Sequence, residues 1–379
     1  MKIGIITIHK SPNYGACLQS YALFAFLKEK GFECEIIDLL RPTHSGYIKS
    51  KVYVPYRKKK TGIIKKCENL FIQLFKKKDT RKILTKEAKH KFDIFNNKIN
   101  YSQTYRGIDE LYNNPPIYDV YISGSDQLWN PTIGFCIEPY FLTFVKKGRK
   151  ISYATSIGVD YLLDNEKNDF AKWLSDYHSI SVREKSGRDI LSPIIGQKVT
   201  QVCDPTFLLE PTQWASLMIE PSVKEPYILL FTLNYNQLLL DFCIRLSHES
   251  KKKLIYLCLY QSYTMSPSNY IAVNSASPNE FIGYIAHADM VVTDSFHGTA
   301  LSLLLEAGNF FVYIPSSQKR GKRITDMLDF FNLNNHVLND DLNVSYQDLA
   351  RRSLDKNTIR DLIIKERKRS QEYLLQQLN

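Results

Sequence analysis

Apolar strand-like runs that alternate with helical stretches, twice over in one chain, limit this sequence to very few folds. Lys2 to Ile8 is a β-branched run. The turn Ser11-Pro12-Asn13-Tyr14-Gly15-Ala16 follows, then a predicted helix from about Cys17 to Lys30 that Gly31 ends, and a second strand at Ile36 and Ile37 closing on Asp38. Strand, turn, helix, strand is a βαβ unit, which needs a parallel sheet covered on its faces. After the Pro, Lys and Glu residues of Pro211 to Pro226, read as a linker, the pattern restarts. It gives strand Tyr227 to Thr232, helix Leu238 to Ser250, strand Leu254 to Cys258, helix Asn279 to Ala286, strand Met290 to Val292, and strand Phe310 to Ile314. Two such series in 379 residues exceed one core. They predict an α/β protein of two doubly wound, Rossmann-like lobes facing a cleft: residues 1–210, residues 227–345, and closing helices over 346–379 that strap the lobes.

No apolar run reaches the roughly 18 residues of a membrane span, and Met1-Lys2-Ile3-Gly4-Ile5-Ile6 leads straight into a strand, so a cytoplasmic chain is expected. The seven cysteines are scattered, odd in number and without a CxxC pair, which reads as reduced core thiols and no metal cluster. The net charge of +11 is local. Between Lys49 and Lys98 stand 17 Lys or Arg against 4 Asp or Glu, a surplus of 13 that leaves the rest at −2. That basic helical insertion, 49–98, carries Ile63, Ile64, Cys67, Leu70, Phe71, Leu74 and Phe75 at helical spacing. Such a face either packs on its own domain or rests peripherally on an anionic membrane. Nucleic acid is not expected, because no binding module accompanies the charge.

Ligands of open α/β sheets bind beyond the carboxyl ends of the strands. The stretch Val291 to Leu305 delivers Asp294, Ser295, His297 and Gly298 to that edge, at the start of an apolar helix whose first amides favour anions. Four more polar tips lie at strand ends: Asn13-Tyr14-Gly15, Gly124-Ser125-Asp126, Arg183-Glu184, and Lys319-Arg320-Gly321-Lys322-Arg323. Each has an ordinary reading as well. His297 can bond within a turn, Asp126 and Asp294 can cap turns, Arg183 can pair with Glu184 or Asp189, and the basic loop can be merely solvated.

In this order Gly124-Ser125-Asp126, Ser181-Val182-Arg183-Glu184, Asp204-Pro205-Thr206, Asp294-Ser295-Phe296-His297-Gly298 and the lysine loop resemble the polysaccharide pyruvyl transferase family. The resemblance implies a two-lobed fold of the glycosyltransferase-B type and transfer of pyruvate from phosphoenolpyruvate to a sugar, usually as a ketal. It places the family's essential arginine at Arg183, its histidine at His297 and its loop lysine at Lys319, with Arg320, Lys322 and Arg323 within a short slide. Many relatives have arginine where this chain has Ser295.

On that reading His297, Asp126 and Asp294 carry the proton transfers. Arg183, Ser295, Gly298, Lys319, Arg320 and Arg323 bind the donor, and Asn13, Tyr14, Gly15 and Ser125 bind the acceptor. Phosphoenolpyruvate is the co-substrate, no cofactor or metal is called for, and the acceptor is a sugar or a lipid-linked oligosaccharide of a surface polysaccharide precursor. Arg183→Ala and His297→Ala are expected to fold normally and transfer little pyruvate. A nucleotide-sugar glycosyltransferase and a non-catalytic subunit of a polysaccharide assembly complex are the rival readings.

Overall fold

The computed structural model describes residues 1–50, 84–134, 136–259, 269–316 and 322–379. Most of the basic insertion, with its apolar face, and Lys319 and Arg320 lie outside the described residues.

Two parallel sheets form the framework. The first has strands β1 (Lys2–Ile6), β2 (Glu33–Leu39), β3 (Tyr101–Tyr105), β4 (Val120–Ser123) and β5 (Arg149–Ser152) in the order β3-β2-β1-β4-β5. Single bridges Ile151 to Ser179 and Thr155 to Val182 continue it into the parallel pair β6 (Ile180–Val182) and β7 (Val199–Gln201). The second has β8 (Tyr227–Phe231), β9 (Lys253–Leu257), β10 (Ile271–Val273), β11 (Met290–Thr293), β12 (Phe310–Tyr313) and β13 (Val337–Leu338), ordered β10-β9-β8-β11-β12-β13. In each sheet the strand order reverses beside its first strand, so a crevice opens there at the carboxyl ends.

The period-2 side-chain alternation of the central strands divides the core. Ile3 and Ile5 of β1 and Tyr227, Leu229 and Phe231 of β8 join one cluster that lies between the sheets. Ile6 and Ile8 face a second cluster behind the first sheet, and Ile228 and Leu230 a third behind the second sheet. Between the sheets run α1 (Tyr14–Glu29) from the first lobe and α8 (Pro278–Ala286) and α9 (Phe296–Leu304) from the second. Tyr14 stacks on Phe281, centroids 4.2 Å apart and planes 7° apart, and its hydroxyl donates to the Ala276 carbonyl at 3.0 Å. Such a ring pair contributes about 0.5–1.5 kcal/mol beyond its buried area.

Two stretches read as irregular are helical. The helix α1 begins at Tyr14 rather than near Cys17, because the Asn13 side chain accepts from the Ala16 amide at 3.1 Å and caps it. The presumed linker contains α6 (Pro211–Leu217), started by Pro at its first position and anchored by buried Trp214. At the end of the chain α12 (Lys356–Leu378) reaches both lobes. Arg360 grips Glu306 with two bonds of 2.8 Å, Arg367 donates to the Phe207 carbonyl at 2.8 Å, and Arg149 donates to the Gln377 carbonyl at 2.9 Å. Among the described residues no helix is long and apolar enough to cross a membrane.

Candidate active site

The helices α1 and α9 each start at the carboxyl edge of their own sheet, and their first turns meet. Ser295 caps α9, its Oγ accepting from the Gly298 amide at 3.3 Å, which sets His297 as the second helical residue. His297 then lies against Gly15 in the first turn of α1. A Cβ on Gly15 would stand 2.1 Å from His297 Nδ1 and 2.4 Å from Cγ, so only glycine admits the imidazole here.

On the other side of the ring is Asp204, whose side chain is fully buried and which follows β7 and caps a 3-10 turn, Pro205–Leu208. Its Oδ1 accepts from the Thr206 amide at 3.0 Å and the Thr206 hydroxyl at 2.8 Å. Its Oδ2 faces Arg183 Nη1 at 2.8 Å, Ser125 Oγ at 3.3 Å and His297 Nε2 at 3.5 Å. Burial alone disfavours the carboxylate, but His297, then Arg183 and the Thr206 amide outweigh it and hold Asp204 well below the usual carboxylate range. These partners favour its ionised form.

Arg183 follows β6 and is buried, with a side chain only 2% exposed. Its guanidinium lies over the Phe296 ring, 4.0 Å from the centroid, and Glu184 Oε2 is 3.6 Å from its Nε. Only Nη1 is hydrogen-bonded; Nε and Nη2 are buried without a hydrogen-bond partner. Unused buried donors on a cation are costly unless an anion completes them. Glu184 is itself held, its Oε1 accepting from Ser156 Oγ at 2.7 Å and the Ile157 amide at 3.0 Å.

Two cavities flank this partition. A polar one of about 260 Å³ is lined by His297, Ser295, Phe296, Asn13, Ser11, Asp126, Gln127, Arg41 and Arg323. A larger one of about 490 Å³ is lined by Arg183, Asp204, Phe207, Phe296, Arg323, Phe330, Phe331 and Arg369, among others. Phe296 and Arg323 border both. The rim is also conformationally costly: Lys10, Asp126 and Ala154, just past the ends of β1, β4 and β5, have φ of 44°, 72° and 54°. Left-handed backbone at non-glycine residues gathers where the surrounding structure holds it for a purpose.

The predicted residues separate by position. His297, Asp126, Ser295, Arg323 and Asn13 share the smaller cavity, while Arg183 faces the larger one across Phe296. Tyr14 and Ser125, expected to touch the acceptor, do not present themselves to it. Tyr14 is 1% exposed in the packing between lobes, and the fully buried Ser125 hydroxyl braces Asp204 and the Ala154 carbonyl. Gly298 spends its amide on the cap, and a Cβ there would come 2.6 Å from Thr293 Oγ1. The arginine expected before the histidine is replaced by a capping serine, and Arg41, past the end of β2, and Arg323, in the helix Lys322–Phe330, bring cations to the same cavity. Sequence reasoning passed over Arg41 and gave Asp204 no role; a residue just past a strand's carboxyl end was the available signal for both.

Asp294 does not line the smaller cavity. It sits behind, its Oδ1 accepting from the Leu233 amide at 2.8 Å. Burial raises its carboxyl to about 6, against the lowering effect of that amide. A carboxyl raised in the folded state contributes most below its unfolded pKa, and that contribution is lost as pH rises through the folded value. The window is thus about pH 4 to 6, and the effect is on the order of 2–3 kcal/mol. Asp294→Asn keeps an acceptor for Leu233 without the charge. Urea midpoints should show this variant gaining on the wild type as pH rises from 4 to 7; a constant difference would mean that Asp294 ionises normally.

No curated protein matches the chain by sequence. Solved structures match over nearly its whole length, at identities that speak for fold alone. Arabidopsis thaliana UGT89C1 complexed with UDP-L-rhamnose is 12% identical, with a TM-score of 0.52 over 98% of this chain and 94% of that one. An E. coli structure described as trehalose-6-phosphate bound with UDP-2-fluoro glucose is 10% identical, with a TM-score of 0.52 over 100% and 99%. The fold is accordingly of the glycosyltransferase-B type, two doubly wound lobes facing a cleft. The polysaccharide pyruvyl transferase family model matches residues 13–314, which takes in the α1 turn, Arg183, Asp204 and His297, and the chain belongs to that family.

Proposed function

We propose that the protein transfers pyruvate from phosphoenolpyruvate to a sugar of a polysaccharide precursor, closing a ketal across two hydroxyls. The observation that carries this reading is the buried Arg183 guanidinium, with Nη2 unpartnered and Nε facing Glu184 without a hydrogen bond, set across one carboxylate from His297. A small, highly charged donor suits the cations gathered here: Arg41 and Arg323 line the cavity of His297, and Arg183 lines the neighbouring one, which Arg323 also borders. The open amides at the start of α9 add to the same field.

The chemistry balances without a cofactor. The donor's methylene carbon takes a proton and becomes methyl, and one sugar hydroxyl adds to the central carbon. Phosphate departs with the former enol oxygen, and a second hydroxyl closes the ketal. Of the two hydroxyl protons released, one replaces that taken up at carbon and the other leaves on phosphate. In this reading His297 delivers and recovers protons and Asp126 receives a hydroxyl proton, which their sharing of one cavity supports.

Calorimetric titration tests the donor. Phosphoenolpyruvate should bind and UDP-glucose should not; tight binding of the nucleotide sugar alone would favour the glycosyltransferase reading that the fold likeness keeps open. His297→Ala should retain phosphoenolpyruvate binding and lose about 10²- to 10⁴-fold in kcat. An unchanged kcat would take the histidine out of the mechanism.

A further inference from the structure

We infer that Asp204 is a positioning residue that fixes the tautomer of His297, so that Nε2 carries its proton toward Asp204 and Nδ1, beside Gly15, is the working nitrogen. The inference deepens the proposed reaction and rests on it for what the imidazole does, but the geometry stands by itself. His297 Nε2 is buried, without a hydrogen bond, and Asp204 Oδ2 faces it at 3.5 Å. An imidazole nitrogen facing an ionised carboxylate keeps its proton, which leaves the lone pair of the neutral ring on the other nitrogen. That other nitrogen lies against the start of α1, where a Cβ on Gly15 would stand 2.1 Å from it, and His297 lines the smaller cavity together with Asn13 and Ala16.

Asp204 is built for fixity. Thr206 holds Oδ1 twice, Ser125 and Arg183 hold Oδ2, and the side chain has no exposure. Its own place cannot change without moving Arg183, so one carboxylate sets the orientation of a group from each lobe. The other charged groups around the ring are Arg183 and Glu184 beyond Asp204, and Asp126, Arg41 and Arg323 across the cavity. A carboxylate that orients a histidine and stabilises its protonated form has a large effect on rate without touching substrate.

Nitrogen-15 NMR of the full chain labelled at histidine, with His297 assigned by loss of its signals in His297→Ala, reads the tautomer with no substrate present. The neutral ring should carry its proton on Nε2. In Asp204→Asn the population should move toward the Nδ1-protonated form, because the acceptor that holds the Nε2 proton is gone. The kcat should fall about 10²- to 10⁴-fold, and Asp204→Glu, which restores the charge, should recover at least about tenfold of that loss. A wild-type ring protonated on Nδ1 would overturn the inference whatever the variants do. So would a folded Asp204→Asn with an unchanged tautomer. The tautomer as stated, in a protein that does not consume phosphoenolpyruvate, would sink the reaction and leave the positioning role standing.

Discussion

Gly15→Ala is expected to abolish transfer nearly as completely as His297→Ala, although residue 15 carries no chemistry. The added Cβ would lie 2.1 Å from Nδ1 and 2.8 Å from the His297 Cβ, distances at which something must shift. The neighbour is a ring whose backbone is fixed by the Ser295 cap and whose far side meets Asp204, so the imidazole swings off its partner or α1 separates from α9. Overpacking of this kind costs about 1–3 kcal/mol in stability, which a domain tolerates, while a displacement of about 1 Å at a reacting group costs about 10²-fold in rate. Thermal melts should show a folded protein a few degrees less stable, and turnover should fall at least about 10²-fold. Wild-type turnover would mean that His297 is not held against α1 in the working enzyme.

Arg183→Ala carries the largest combined effect. The sequence alone suggested a variant that folds normally and fails in catalysis. The structure changes the first half of that expectation, because the guanidinium is 2% exposed and neutralises a carboxylate that has no exposure. Removing one partner of a buried pair costs about 3–5 kcal/mol, a large part of the stability of a typical domain. Loss of a charge-stabilising donor lowers kcat a further 10²- to 10³-fold or so. Arg183→Lys should keep most of the stability, since the ammonium retains the charge, and still lose activity, since it lacks the planar donors that Nε and Nη2 present. Urea unfolding and steady-state kinetics on the two variants separate these contributions. An Arg183→Ala protein as stable as the wild type would contradict the buried pairing.

The architecture was legible because its signals are local and repeat. Apolar runs mark β1, β4, β8, β11 and β12, and helices between them follow from 3.6-residue spacing and caps. The strands that escaped are β3, β10 and β13. Tyr101–Tyr105 and Ile271–Val273 lie at sheet edges with side chains that, Tyr105 apart, are half-exposed or exposed, so no apolar run announces them, and β13 is only two residues long. The α1 start was missed because Asn13-Tyr14-Gly15 looks like turn chemistry, whereas Asn13 is a cap and Tyr14 an interlobe anchor.

The site was legible as a set of strand-end residues and not as contacts. His297 and Arg183 could be named, but their meeting at Asp204 joins positions 93 and 21 residues apart and needs both lobes in place. Gly15 was assigned to the acceptor, and its contact with His297 spans 282 residues. Ser125 drew notice for its loop, yet its hydroxyl turns inward. Polar residues at a rim give no sign, in one dimension, of which will face the cavity and which will hold another in place.

The most direct measurement is phosphorus-31 NMR of phosphoenolpyruvate incubated with the purified protein and a panel of saccharides, free and lipid-linked, with product masses followed in parallel. The donor resonance should give way to inorganic phosphate in step with a saccharide that gains a pyruvate less one water, and the Arg183→Lys protein should leave the donor untouched. A donor signal that persists across the panel while a nucleotide sugar is consumed would contradict the account.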